Sequence, residues 1–301
     1  MMRIDSPPDF DFTATVASHG WCVLAPLAWD AEAGTLEAPL RLPRGRTTRV
    51  RMEQPGGRGA PVVVTAVAGA GSRAGLSDPD GRAVGAAVSR MLRLDQDLST
   101  FHARCRDAGS PFDRAPGAGF GRLLRSATAF EDLAKILATT NTAWSGTKGM
   151  VARLVDVAGR DGAFPTAAEV AAIGPERIRS EARWGYRAAS LAGIAEAVAS
   201  GDVDPARWET WEGPSGELEE EIRALPGFGP YAAAHALALL GRFDRIGVDT
   251  VFREFVRRRH FPKARKVPPD RRMLAVYEKW GEWRMLAYWF DLWVDYDGRG
   301  L

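Results

Sequence analysis

Two glycines, Gly227 and Gly229, lie in the stretch Leu225-Pro226-Gly227-Phe228-Gly229-Pro230-Tyr231, between a short charged helix, ELEEEIRA, and an apolar one, AAAHALALL. A tight turn of this kind exposes backbone N–H groups at the start of a helix, where they and the helix dipole attract an anion. Glycine removes the side chain that would keep a phosphate from the backbone. Phe228 reads as the anchor that holds the turn in the core. Twenty residues beyond Gly229, the segment Gly247-Val248-Asp249-Thr250 puts a carboxylate at the expected N-terminus of the next helix. Taken singly, the turn could simply join two helices and Asp249 could simply be an N-cap.

The charge pattern favours a polyanionic partner. Between Arg242 and Arg272 eleven basic residues face four acids, a local charge of +7, in a chain whose 40 Lys+Arg and 38 Asp+Glu leave only +2 overall. A charge run is usually a solvated face, but this one surrounds and follows Asp249, which favours a surface that meets phosphates. The basic residues are almost all arginine. Lys135, Lys148, Lys263, Lys266 and Lys279 are the only lysines, and none lies between Gly149 and Pro262.

Cys22 and Cys105 cannot build a disulfide framework, a four-cysteine zinc site or a four-cysteine iron–sulfur cluster. The four histidines show no paired His/Cys spacing, so no metal is expected. The opening MMRIDSPPDFDF lacks an apolar signal core, and the apolar run Ala232–Leu240 is too short to cross a bilayer. The expectation is a soluble cytoplasmic protein with no membrane contact.

The elements that must position these residues fall into two blocks. Residues 1–80 read as a β-rich domain, with strands expected at Phe10–Ser18, Gly20–Leu27, Thr35–Leu42, Thr47–Glu53 and Pro61–Ala68, and glycine joints at Gly56-Gly57 and Gly69–Gly71. Residues 81–301 read as helical. Val84, Val88, Met91 and Leu92 share one face, and a loop from Ala108 to Ala118 links the lobes. Helices follow at Phe130–Ala138, Ser145–Ala158, Thr166–Ile173, Pro175–Ala182, Arg187–Ser200, Glu217–Ala224, Tyr231–Leu240, Thr250–Arg259, Pro269–Trp280 and about Glu282–Val294. The fold class is therefore α+β, mostly α: an antiparallel β-rich lobe followed by a two-part helical body.

The turn LPGFGPY and the Val248-Asp249 that closes the next loop together resemble the helix-hairpin-helix DNA glycosylase superfamily. The stretch FEDLAKILATTNTAWSGTKGMVARLV resembles that family's helix pair with the loop that enters the duplex, and FPTAAEVAAIG followed by Gly185-Tyr186-Arg187-Ala188 resembles its middle segment. Trp280-Gly281-Glu282-Trp283-Arg284 is similar to the C-terminal signature of the 3-methyladenine DNA glycosylase II branch, and the opening DFDF to the extra N-terminal domain which that branch shares with the 8-oxoguanine branch.

The resemblance implies a glycosylase of base excision repair that needs no cofactor, works as a monomer and takes double-stranded DNA containing a damaged base, associating with the nucleoid when bound. Asp249 is then the catalytic carboxylate. Gly227 and Gly229 hold a phosphate of the damaged strand, Arg253 from the basic run contacts DNA, and Asn141 matches the polar wedge that fills the vacated stack. Asn141 alone could equally be a helix cap. The base pocket is expected from Tyr231, Trp144, Trp289 and Trp293, although the branch's late tryptophan aligns with Leu292, one step from Trp293. Where strand-cutting members carry a lysine this chain has Tyr231, so hydrolysis without lyase chemistry is expected. An alkylated purine is the implied substrate. The alternatives are an 8-oxoguanine-type enzyme and a non-catalytic helix-hairpin-helix module. Two cysteines exclude the branches that carry an iron–sulfur cluster.

Overall fold

A computed structural model of the chain describes residues 1–67 and 77–297. The Gly69–Gly71 joint and the last residue of the strand expected at Pro61–Ala68 lie outside them. Five strands, β1 (Met2–Ile4), β2 (Ala28–Asp30), β3 (Thr35–Arg41), β4 (Thr47–Glu53) and β5 (Val62–Ala66), form one antiparallel sheet in the order β1-β5-β4-β3-β2. Alternation sets its faces. Leu36, Ala38, Leu40, Val50 and Met52 are buried on one side, while Glu37 lies opposite Arg51 on the other and accepts from its guanidinium at 2.7 and 3.0 Å.

Two expected strands are corrected. Phe10, Phe12, Ala14 and Val16 alternate like a strand, yet Phe12–Val16 is a short helix, α1. Asp11 caps it, accepting from Ala14 N–H at 2.9 Å, and Phe12, Thr15 and Val16 bury the helical spacing instead. Gly20–Leu27 holds a 3₁₀ turn, Trp21–Val23, entered through Gly20 at φ 84°. The three-residue strands β1 and β2 are too short to show a period.

The helices are α2 (Asp78–Leu92), α3 (Ser99–Ala108), α4 (Arg114–Gly117), α5 (Ala129–Thr139), α6 (Trp144–Ala158), α7 (Ala167–Ser180) and α8 (Arg187–Ser200). They continue with α9 (Ser215–Arg223), α10 (Pro230–Leu239), α11 (Thr250–His260), α12 (Asp270–Leu274) and α13 (Arg284–Asp297), with a 3₁₀ segment at Ala275–Trp283. The expected loop at Ala108–Ala118 thus contains α4. Caps explain the boundaries: Thr128 accepts from Glu131 N–H, Thr166 and Glu169 form a capping box, and α8 stops at Gly201 in the left-handed region. Helix α7 breaks at Gly174 (φ 70°), where two separate helices were expected.

The chain forms two compact units, Met1–Gln96 with Gly119–Arg207, and Asp97–Ala118 with Trp208–Leu301. In the first, Arg41 of β3 pairs with Glu169 of α7 at 2.7 Å, and buried Arg122 clasps Asp9 through two 3.0 Å bonds. Helix α5 buries charge: Asp132 lies 2.8 Å from Arg90, and Lys135, fully enclosed, is 2.7 Å from Glu131 with its ammonium over the Trp21 and Phe164 rings. The second unit is organised by aromatics, Phe101, Phe112, Phe243, Trp280, Trp283 and Phe290 on one side of α13 and Phe252, Phe255 and Tyr277 around Tyr288. Both cysteines are free and buried, and burial pushes the Cys105 thiol up to about 12. Among the described residues no helix is long and apolar enough to cross a membrane.

Candidate active site

Alternating burial builds the turn between α9 and α10. Leu225 and Phe228 are buried, Pro226, Gly227, Gly229 and Pro230 are exposed, and Phe228 N–H donates to the Leu225 carbonyl at 3.1 Å. Gly227 has φ 84°, a conformation that costs glycine little. Gly229 is the N-cap of α10 with Pro230 behind it; no side chain caps this end, and a Cβ at Gly229 would meet nothing within 4 Å. An uncapped helix start under open space is the geometry an anion needs.

Asp249 is the N-cap of α11. Its Oδ1 accepts from Phe252 N–H at 2.7 Å, and its carbonyl accepts from Arg253 N–H at 3.1 Å. The cap uses one carboxylate oxygen. Oδ2 makes no hydrogen bond among the described residues, and the residue is part-exposed. Phe252 is fully buried against Tyr288, with ring centroids 5.1 Å apart, so the core fixes the donor that fixes the carboxylate. Capping and catalysis are therefore compatible uses of this side chain.

The loop carrying Asp249 is seated on the first turn of α10. A Cβ at Gly247 would stand 2.4 Å from His235 Cε1, 2.6 Å from Nδ1 and 3.3 Å from the Tyr231 carbonyl oxygen, so glycine is what allows this approach. Tyr231 and His235, one helical turn apart, have ring centroids 4.2 Å apart. His235 Nδ1 is 2.9 Å from the Tyr231 carbonyl, which can only accept, so Nδ1 carries the proton. Burial pushes the imidazole below its usual range, against the opposing pull of the Tyr231 carbonyl and the Asp249 charge. Burial, then the Asp249 charge, push the Tyr288 hydroxyl far above the ordinary phenol range.

The far end of α11 is tied to α13. Buried Asp291 lies 2.7 Å from His260 Nε2 and accepts from Tyr277 Oη at 2.9 Å, and Asp295 receives both arms of Arg258 at 2.7 and 2.9 Å. Burial and the Asp291 charge raise the Tyr277 hydroxyl.

Tyr231, Gly227, Gly229, Asp249, Arg253, Trp289 and Trp293 all belong to the second unit, whereas Asn141 and Trp144 belong to the first. Arg253 is held by Asp270 through bonds of 2.9 and 2.8 Å, so a phosphate must exchange with that carboxylate. Other cations of the basic run are likewise engaged: Arg242 by the Trp211 carbonyl, Arg245 by Glu219 and Asp244, and Arg259 by Asp291. Within the run, the exposed cations that make no ion pair to a described residue are Arg257, Lys263, Arg265, Lys266, Arg271 and Arg272. Trp289 is part-exposed next to Tyr288. Trp293 stacks on Phe290 (5.5 Å) with Arg114 over its ring, on a different face of α13 from Tyr288. Trp144 is 40% exposed with its ring against Gly20, and Asn141 is exposed at φ 45°.

Sequence reasoning did not single out three residues: His235, Tyr288 and Arg187. Buried Arg187 donates to both the carbonyl and the hydroxyl of Thr140, next to Asn141, and lies 4.5 Å over the exposed Tyr186 ring. Only the match at Gly185-Tyr186-Arg187 could have pointed to it.

No family model and no curated protein matches the sequence. The fold does match: it is one that DNA glycosylases adopt. In particular, the 3-methyladenine DNA-glycosylase from Archaeoglobus fulgidus superposes with a TM-score of 0.74 at 18% identity over 98% of each chain. The Clostridium acetobutylicum 8-oxoguanine glycosylase/lyase, solved with double-stranded DNA containing cytosine opposite 8-oxoguanine, gives 0.66 at 16% identity over 99% of each. DNA-3-methyladenine glycosidase from Bacillus halodurans gives 0.51 at 17% over 65% of this chain and 90% of its own.

Proposed function

We propose that this chain is a monofunctional DNA glycosylase that releases alkylated purines from duplex DNA. The observation that carries the reading is Asp249: its own helix immobilises one carboxylate oxygen while the other stays open, twenty residues after a turn with the geometry of a phosphate cradle.

The flipped nucleotide costs a few kcal/mol to extrude, less when it is damaged. Phosphate bound at Gly227 and Gly229, exposed cations such as Arg257 and Lys263, and Asn141 in the vacated stack offset that cost. The N-glycosidic bond breaks with its electron pair leaving on the purine. The sugar takes on oxocarbenium character that the Asp249 carboxylate stabilises, and water adds at C1′, loses a proton and leaves an abasic site. Tyr231 and Trp289 supply aromatic faces for an electron-poor base. Tyr231 stands where a Schiff-base lysine would be, and no lysine lies between Gly149 and Pro262 to replace it.

An 8-oxoguanine-type reading draws on the full-length likeness to the Clostridium enzyme and on the exposed Asn141. A panel of duplexes bearing 3-methyladenine, hypoxanthine, uracil or 8-oxoguanine separates the two. Release of the alkylated purine, with strand breakage only after alkali, supports the proposal. Strand cleavage without alkali, trapped by borohydride, overturns the monofunctional part. Duplex binding without release of any base overturns the enzymatic reading.

A further inference from the structure

Beyond Tyr231, α10 is alanine and leucine except for His235. Its Nδ1 proton is committed to the Tyr231 carbonyl at 2.9 Å. Desolvation favours the neutral ring, and a neutral imidazole that donates from Nδ1 presents a lone pair at Nε2. Nε2 has no hydrogen-bond partner among the described residues, and the residue is part-exposed.

Three contacts keep the ring from turning: the Nδ1 bond, the Tyr231 ring 4.2 Å away, and the Gly247 backbone against the Cε1–Nδ1 edge. The Asp249 charge acts on this ring. A fixed acceptor nitrogen favours a ligand that brings a hydrogen-bond donor and disfavours one that brings only a carbonyl oxygen.

We infer that His235 is a specificity-determining residue whose Nε2 accepts a hydrogen bond from an exocyclic amine of the purine being released. This rests on the glycosylase reading above. The role is distinct from that of Asp249: His235 recognises the leaving base, while Asp249 acts on the sugar.

The test uses two substitutions that divide the ring's functions. His235→Asn keeps a donor near the Nδ1 position for the Tyr231 carbonyl and removes the acceptor. His235→Gln puts an amide oxygen near the Nε2 position. Single-turnover base release is measured on duplexes carrying 3-methyladenine or 3-methylpurine, which differ by the exocyclic amine alone. The wild type is expected to prefer the amine-bearing base by roughly tenfold, the worth of one such bond. His235→Asn abolishes the preference, His235→Gln restores part of it, and both melt like the wild type. A wild type that shows no preference, an Asn variant that keeps it, or equal slowing on both bases overturns the inference while leaving the glycosylase reading intact. A wild type that releases neither base overturns both.

Discussion

Replacing Gly247 by alanine tests how the site is assembled. The added Cβ would lie 2.4 Å from His235 Cε1 and 2.6 Å from Nδ1, well inside contact distance. The ring cannot swing away without losing its 2.9 Å bond to the Tyr231 carbonyl and its tilted contact with the Tyr231 ring, so the loop must lift instead. Overpacking of this kind costs about 2–3 kcal/mol, which in a chain of this size lowers Tm by roughly 3–5 °C. A loop lifted by about 1 Å displaces Asp249, two residues on, and misplacement on that scale slows base release on the order of 100-fold. His235→Ala supplies the control. With the ring gone, the remaining close atom is the Tyr231 carbonyl at 3.3 Å, and Gly247→Ala should cost less than about 1 kcal/mol in that background. Thermal melts of the four proteins close the cycle, with a coupling of about 2 kcal/mol. An equal Tm loss in both backgrounds would refute the contact on which the reasoning stands.

Arg187→Ala should free the Thr140 carbonyl and hydroxyl, cost about 1.5–3 kcal/mol, and raise amide hydrogen exchange in residues 140–143 selectively. Lys135→Met leaves Glu131 buried without its partner and should cost about 3–5 kcal/mol in a denaturant melt, while Lys135→Met with Glu131→Leu recovers most of that loss. Asp132 is buried, which alone would raise its pKa, but Arg90, Arg125 and the Ser126 N–H hold it below the usual carboxylate range. A depressed pKa gives stability that is complete above the unfolded value of about 3.9 and is lost as pH falls toward the folded value, so Asp132→Asn should flatten the fall in Tm below about pH 4.

Most helices were legible because their ends are marked in the chain. Thr128, the Thr166–Glu169 box, Gly159 and Gly201 punctuate apolar runs with helical spacing. Phe10–Val16 misled because a five-residue helix shows too little of its period to outweigh the alternation of Phe10, Phe12, Ala14 and Val16, and the Asp11 cap decided the matter. In the site, the turn and Asp249 were readable from local spacing. The seating of Gly247 on His235 was not, since it is a steric contact between residues twelve apart that becomes visible only once α10 and the loop are packed. Tyr288 was hidden among the aromatics of α13, where composition cannot say which ring faces Phe252 and which, like Trp293, faces Phe290. The +7 run is visible in the sequence, but the engagement of Arg242, Arg245, Arg253, Arg258 and Arg259 within their own unit is not, since their partners lie on separate elements or loops.

The central claim is that Asp249 acts on the sugar as a carboxylate, beyond capping its helix. Asparagine caps a helix as well as aspartate does, so Asp249→Asn separates the two roles. The decisive measurement is single-turnover release of 3-methyladenine from duplex DNA by the wild type and Asp249→Asn, with Tm and duplex affinity measured alongside. The account predicts a loss of roughly 100- to 1,000-fold in rate, with Tm and affinity nearly unchanged. Base release by the variant at the wild-type rate would contradict it.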